Sequence, residues 1–190
     1  MPLPIELIRD LPGTTAGSTF TGAFFNFGET HRYLLWRRWG IDSAPWLGWI
    51  MLNPSTADHC EDDPTIRRCI GWAKRWDPTE MPARWHERPA AFPVFGGIVV
   101  ANAYSLRATD PAVMLRHPHR LGDVNDELVR RVIRRCAWTV VAWGDRVEPD
   151  RRRALAEIVG SSALCLGRTA GGQPRHPLRV AYVQPVEAWP

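Results

Sequence analysis

The stretch "WLGWIMLNPSTADHCEDDPTIRRCIGWAKRW", residues 46–76, changes character twice. Residues 46–52 form a short, continuous apolar run of the kind a strand buried on both faces requires. Asn53-Pro54 ends that run, since proline cannot donate to a sheet ladder and fixes its own φ. A loop crowded with acids follows. Order resumes at Asp63-Pro64, with aspartate as N-cap, proline at the first helical position, and Ile66, Cys69, Ile70 and Ala73 on one stripe. The segment reads as strand, loop, helix.

Working outward, the same grammar recurs. "GIVVANA" (97–103), "WTVVAWG" (138–144) and "ALCLG" (163–167) are further buried strands. Between them, Asp110-Pro111 repeats the helix-start chemistry, "DVNDELVRRVIRRC" (123–136) turns Val124, Leu128, Val132 and Cys136 to one side, and "DRRRALAEIVG" (150–160) is a second helix. Strands alternating with helices predict an α/β fold, a three-layer sandwich around a central, mainly parallel four-stranded sheet with ligands at the carboxyl ends of its strands. Residues 19–40, two aromatic-rich runs around Gly28-Glu29-Thr30, predict an N-terminal β-hairpin covering one face of the core. Residues 77–96 hold four prolines and no sustained period, so a long surface insertion is expected there.

At 190 residues and 45% hydrophobic, the chain suits one domain, 1–190, with a single core. It has no apolar run of about 18 residues, and it opens on neither a signal peptide nor a presequence. The expectation is a cytoplasmic, monomeric protein with no membrane partner. Cys60, Cys69, Cys136 and Cys165 lie far apart without a CxxC pair, which predicts reduced thiols and no structural metal. No cofactor is called for. The net charge of +4 is compatible with a polyanion, and of 24 basic residues only Lys74 is a lysine. Arginine's planar fork suits phosphate, although a GC-rich genome would produce the same bias.

Four segments, "MLNPSTAD…DDPTIRRCIGWAKRW", "VVANAYSLRATDPAVM", "VVAWG" and "GQPRHPL", resemble the bacterial and phage family catalogued as domain of unknown function 1643. The insertion at 77–96 departs from that family's short turn. More remotely, Asn53-Pro54 after the first core strand and His176-Pro177 after the last resemble the uracil-DNA glycosylase superfamily. That resemblance implies the superfamily's fold and a DNA partner. It also implies that Asn53 positions a water at the sugar and His176 donates a hydrogen bond to the departing base. Ser55 stands where uracil-specific enzymes carry a tyrosine, leaving room beside pyrimidine C5.

The implied activity is monofunctional N-glycosylase chemistry on a flipped, C5-modified pyrimidine such as hydroxymethylcytosine or its glucosylated form. Such bases occur in phage DNA, so the expected setting is anti-phage defence. Pro54, Ser55, Asp58, Asp62 and Asn102 are the candidate base or sugar pocket, with Asp58 and Asp62 expected to face the ligand because carboxylates would repel phosphate. Arg67, Arg68, Arg84, Arg88, Arg168 and Arg175 are candidates for DNA backbone contacts, with Trp85 or Leu178 as the wedge replacing an everted base. Simpler readings stand beside these: Asp63 as a cap, Arg67 or Arg68 in a local salt bridge with Asp62, Asn102 as a turn residue. A catalytically silent nucleotide- or nucleic-acid-binding module on the same fold remains open, as does a metal-dependent hydrolase using Asp58, His59, Cys60 and Asp62.

Overall fold

A computed structural model describes residues 3–76 and 95–189. The order of elements is α1 (Leu3–Ile8), β1 (Thr14–Gly17), β2 (Thr21–Phe25), β3 (Arg32–Arg38), β4 (Trp46–Met51), α2 (Pro64–Lys74), β5 (Gly97–Asn102), α3 (Pro111–Arg116), α4 (Asn125–Arg135), β6 (Trp138–Val141), α5 (Pro149–Val159), β7 (Leu164–Cys165) and β8 (Glu187–Ala188). Short 3-10 turns follow α5 and precede β8.

All strands join one eight-stranded sheet in the order β1-β2-β3-β5-β4-β6-β7-β8. The class is α/β, as expected, but the expected four-stranded, mainly parallel sheet is corrected to a wider, mixed one. Three neighbouring pairs, β5–β4, β4–β6 and β6–β7, run parallel, and the other four run antiparallel. The difference has a simple cause. The N-terminal hairpin does not lie over a face of the core; β3 pairs antiparallel with β5, so the hairpin satisfies the open edge of that strand and extends the sheet sideways. At the other end β8 does the same for β7. The segment before the hairpin, which carries no strong periodicity, supplies α1 and the edge strand β1.

Helices cover both faces. On one side α4, α5 and α1 bring Leu128, Val129, Val132, Leu155, Val159 and Leu7 against Leu34, Trp36, Ile50, Val99 and Val141. On the other, α2 brings Ile66, Cys69, Trp72 and Ala73 against Leu35, Leu47, Trp49, Ile98, Val100 and Val140. β4 and β5 are buried along their whole lengths, which is why each reads as an unbroken apolar run. The helix starts follow their chemistry. Asp63 accepts from the Ile66 N–H and Asp110 from the Ala112 N–H, each followed by proline.

Gly48, at the middle of β4, leaves no room for a side chain beneath α4. A Cβ there would lie 2.8 Å from Val132 Cγ1 and 2.9 Å from Thr139 Oγ1. Gly48→Val should therefore overpack the sheet–helix seam and cost about 1–3 kcal/mol, read as a lower urea midpoint at unchanged slope; an unaltered midpoint would mean that α4 can move away at no cost.

Candidate functional site

Because β4, β5, β6 and β7 are parallel to one another, their carboxyl ends lie on one side of the sheet. There Met51 pairs in register with Asn102. The antiparallel β3 begins on that side with Arg32, whose N–H donates to the Ser105 carbonyl at 2.9 Å. These ends enclose a cavity of about 590 Å³, bounded by the start of α2 and by the loops after β4, β6 and β7. Its lining includes Arg32, Asn53, Ser55, Asp63, Asn102, Trp143, Asp145, Thr169, Arg175, His176 and Leu178.

Asn53 is oriented by its own amide. Nδ2 donates to the Pro54 carbonyl at 2.9 Å and the Ala108 carbonyl at 2.8 Å. Two carbonyls can only accept, so the nitrogen is fixed on that side and Oδ1 is turned away from them. The Pro54 carbonyl also takes the Ala108 N–H, tying the Asn-Pro loop to the chain beyond β5.

Asn102, the last residue of β5, is 1% exposed, and neither Nδ2 nor Oδ1 has a partner. Its position is rigid, since Asn125 Nδ2 donates to the Asn102 carbonyl at 3.0 Å and Arg151 Nε to the Ala103 carbonyl at 2.7 Å. A turn role would use the side chain locally; here the whole amide is left free.

His176 is half-buried at the end of a stiff loop. Gly144, with φ of +72°, donates its N–H to the Pro174 carbonyl, and Arg175 N–H returns to the Gly167 carbonyl. Arg68 reaches from α2 to the Pro177 and Val180 carbonyls while its guanidinium sits 3.6 Å above the Tyr182 ring. Burial, with Arg179 nearby, holds the His176 imidazole below its usual range, with Asp63 opposing. The shift favours the neutral ring.

The acidic loop is built differently from the expectation. Asp58 and Asp62 do not line the cavity. Asp58 Oδ1 accepts the N–H groups of Cys60 and Glu61 at 2.9 and 2.8 Å, and these bonds hold its carboxyl at about 2. Asp62 pairs at 2.7 Å with the buried Arg37, whose guanidinium also donates to the Asp58, Glu61 and Trp36 carbonyls. The loop's charges fix its own shape. The acids that do line the cavity are Asp63, which doubles as the α2 cap, and Asp145, whose Oδ1 accepts from Thr169 Oγ1 at 2.6 Å. Asp58, His59 and Cys60 bring a carboxylate, an imidazole and a thiol within 4.8 Å of one another, on a carboxylate already engaged by two backbone N–H groups.

Of the DNA-contact candidates, Arg175 and Leu178 reach the cavity, Leu178 being 47% exposed. Arg67 donates to the Asp62 carbonyl rather than its carboxylate, Arg68 braces the His176 loop, and Arg168 lies over Trp189 at 5.5 Å. Arg84, Trp85 and Arg88 lie outside the described residues. Among the lining residues that escaped the sequence reading are Arg32, Trp143, Asp145 and Thr169. β3 carries arginines at both ends, Arg32 and Arg37-Arg38, so residue type did not single out Arg32, whereas Trp143, Asp145 and Thr169 follow strand ends just as Asn53 does.

Fold and site together define an α/β protein with a cavity of mixed charged, polar and apolar lining at the carboxyl ends of its parallel strands. Over residues 32–178 the chain matches the family described as Protein of unknown function (DUF1643), and it belongs to that family. No curated protein and no solved structure matches it. Among the described residues no helix is long and apolar enough to cross a membrane.

Two predictions separate the loop's structural chemistry from the cavity. Asp62→Ala should strand the buried Arg37 charge and cost about 1–3 kcal/mol in a urea melt; no loss would show that the three carbonyls suffice for Arg37. Asp58 binds its proton more weakly folded than unfolded, so its stabilisation is present above its usual 3.8 and is lost as pH falls toward about 2. Asp58→Ala should accordingly flatten the acid limb of the stability profile, and an unchanged limb would assign the acid loss to other carboxylates.

Proposed function

We propose that this chain is a monofunctional DNA glycosylase acting on a flipped, C5-modified pyrimidine. The observation that carries the reading is that Asn53 and His176, from opposite ends of the family match, line one cavity together with Ser55 and Asn102. The volume falls inside the range of about 300–1,000 Å³ usual for ligand sites. With Ser55 small and Asp63 and Asp145 in the wall, there is both space and hydrogen-bond acceptance for a hydroxylated C5 substituent. Asp145 and Asp63 take the part that Asp58 and Asp62 do not reach.

Asn53 presents Oδ1 as an acceptor for a water held below the anomeric carbon. A carboxamide takes no proton, so the C1′–N1 bond must be largely broken before the water adds, and the water's proton passes to solvent afterwards. The neutral His176 donates a hydrogen bond to the pyrimidine O2 as charge develops there. Arg175 and the half-exposed Leu178 at the rim are placed for a phosphate contact and for filling the gap left by the everted base. DNA as partner, and a role against phage DNA carrying such bases, follow from this reading.

Strand cleavage is not part of the reaction. Glycosylases that cut the strand attack the sugar with an amine. The single lysine, Lys74, ends α2 with its ammonium 5.1 Å from the Trp39 ring centre and is not among the cavity residues.

The test is incubation of the pure protein with DNA carrying cytosine, hydroxymethylcytosine or glucosylated hydroxymethylcytosine, scoring abasic sites and identifying the released base by mass spectrometry. Asn53→Ala and His176→Ala should each lower turnover by about 10²-fold or more, with substrate affinity changed much less, and borohydride should trap no protein–DNA adduct. Tight DNA binding without base release would favour the silent binding module. Loss of activity to a chelator would favour a metal site at Asp58, His59 and Cys60.

A further inference from the structure

Arg32 is 2% exposed, yet it is among the residues that line the cavity. One terminal nitrogen donates to the Ala57 carbonyl, and Nε has no partner. Among the described residues no carboxylate is ion-paired with it, although Asp63 and Asp58 attract the charge while Arg107 and Arg37 oppose it. Burial is the largest influence and brings the group down to about 10, so it is still a cation at neutral pH. A buried cation without an anion is a rare arrangement, because desolvation is recovered only through a partner.

The second observation is independent. Asn102 stands at the end of the neighbouring strand with both side-chain atoms buried and unpaired, and it lines the same cavity. Two residues of the cavity wall therefore hold a charged donor, Arg32 Nε, a neutral donor, Asn102 Nδ2, and an acceptor, Asn102 Oδ1, all without partners. Native interiors pair such groups. Their complement is a planar ring with an amide-like edge for Asn102 and an acceptor that carries negative charge for Arg32.

We propose that Arg32 is a catalytic residue, the fixed cation that receives the departing pyrimidine as its anion, while Asn102 holds the amide-like edge of the same ring. The assignment rests on the glycosylase reading and deepens it. When the C1′–N1 bond breaks, its electron pair stays on N1 and spreads onto the ring carbonyl. The water oxygen forms the new bond to C1′, its proton goes to solvent, and the base anion is protonated from solvent after release. A neutral His176 contributes a hydrogen bond to that anion but no charge. Arg32 contributes the charge, at no cost of reorganisation because it is already buried in place.

The probe is 5-nitrouracil, whose ring N–H ionises near neutrality with a visible change in absorbance, alongside cytosine, which stays neutral. Bound to the wild-type protein, 5-nitrouracil should ionise at least one pH unit lower than when free, meaning about tenfold or greater preference for the anion. Arg32→Gln should abolish the shift, Arg32→Lys should keep part of it, and Arg130→Gln, at an exposed α4 position outside the cavity, should keep all of it. No shift in the wild type overturns the proposal without any variant, so a failure of Arg32→Gln to fold leaves the test intact. A shift that survives in folded Arg32→Gln overturns it as well. Should the shift be present and depend on Arg32 while no DNA yields abasic sites, the glycosylase reading fails and Arg32 stands as an anion-binding residue for a free base.

Discussion

The parallel register that β4 shares with both β5 and β6 is the constraint on which the site depends. It sets Met51 beside Asn102 and Ile50 beside Val141, so the chain leaves three neighbouring strands at the same level. Slipping β4 by one residue against β5 would turn the apolar side chains of both faces the wrong way, and both faces are buried. The register is thus enforced by two cores at once, the α4 side through Ile50 and Val132 and the α2 side through Trp49 and Ile66. Positional accuracy at the cavity is a by-product of that packing. Asn53 needs to be held only two residues beyond a fully buried strand, and Asn102 is still within one.

Charge is used in two distinct ways a short distance apart. In the loop between β4 and α2, carboxylates meet backbone N–H groups and the guanidinium of Arg37, closing a structure that would otherwise have few internal contacts. In the cavity, Arg32 and Asn102 keep polar atoms unpaired under nearly complete burial. The first arrangement stabilises and the second costs stability. The contrast separates a self-bracing loop from a cavity wall with unused polar groups, and it cannot be read from residue type, since a buried arginine of the same strand stands in each place.

Much of the frame was legible in the sequence because periodicity and capping are local. The apolar runs at 46–52 and 97–103, the Asp-Pro starts of α2 and α3, and the α4 stripe all appear where they were expected. Pairing is not local. Whether residues 19–40 lie over the sheet or alongside it depends on which backbone edge is left open, and the hydrophobicity of the hairpin is the same in either case. The site divides along the same line. Asn53, Ser55, Asn102, Arg175, His176 and Leu178 line the cavity, and they were legible as candidates because they follow strand ends or sit in a recognisable motif. Asp58 and Asp62 were misplaced because a carboxylate's partner is chosen in three dimensions, and Arg37, which takes Asp62, lies on a strand in the hairpin.

Arg32 shows the limit most clearly, and also why the wider sheet matters. A four-stranded parallel sheet would end at β5, and nothing would stand on the far side of Asn102. The antiparallel addition of β3 brings a strand that begins where its neighbour ends, so its first residue arrives in the wall of the cavity, buried and bonded to the Ala57 carbonyl. The hairpin thereby does more than cover an edge: it delivers a cation to a place no carboxyl-end loop needs to reach. An arginine brought in on a strand has its backbone fixed by the sheet and loses little freedom when a ligand binds, which is the property a preorganised electrostatic group must have.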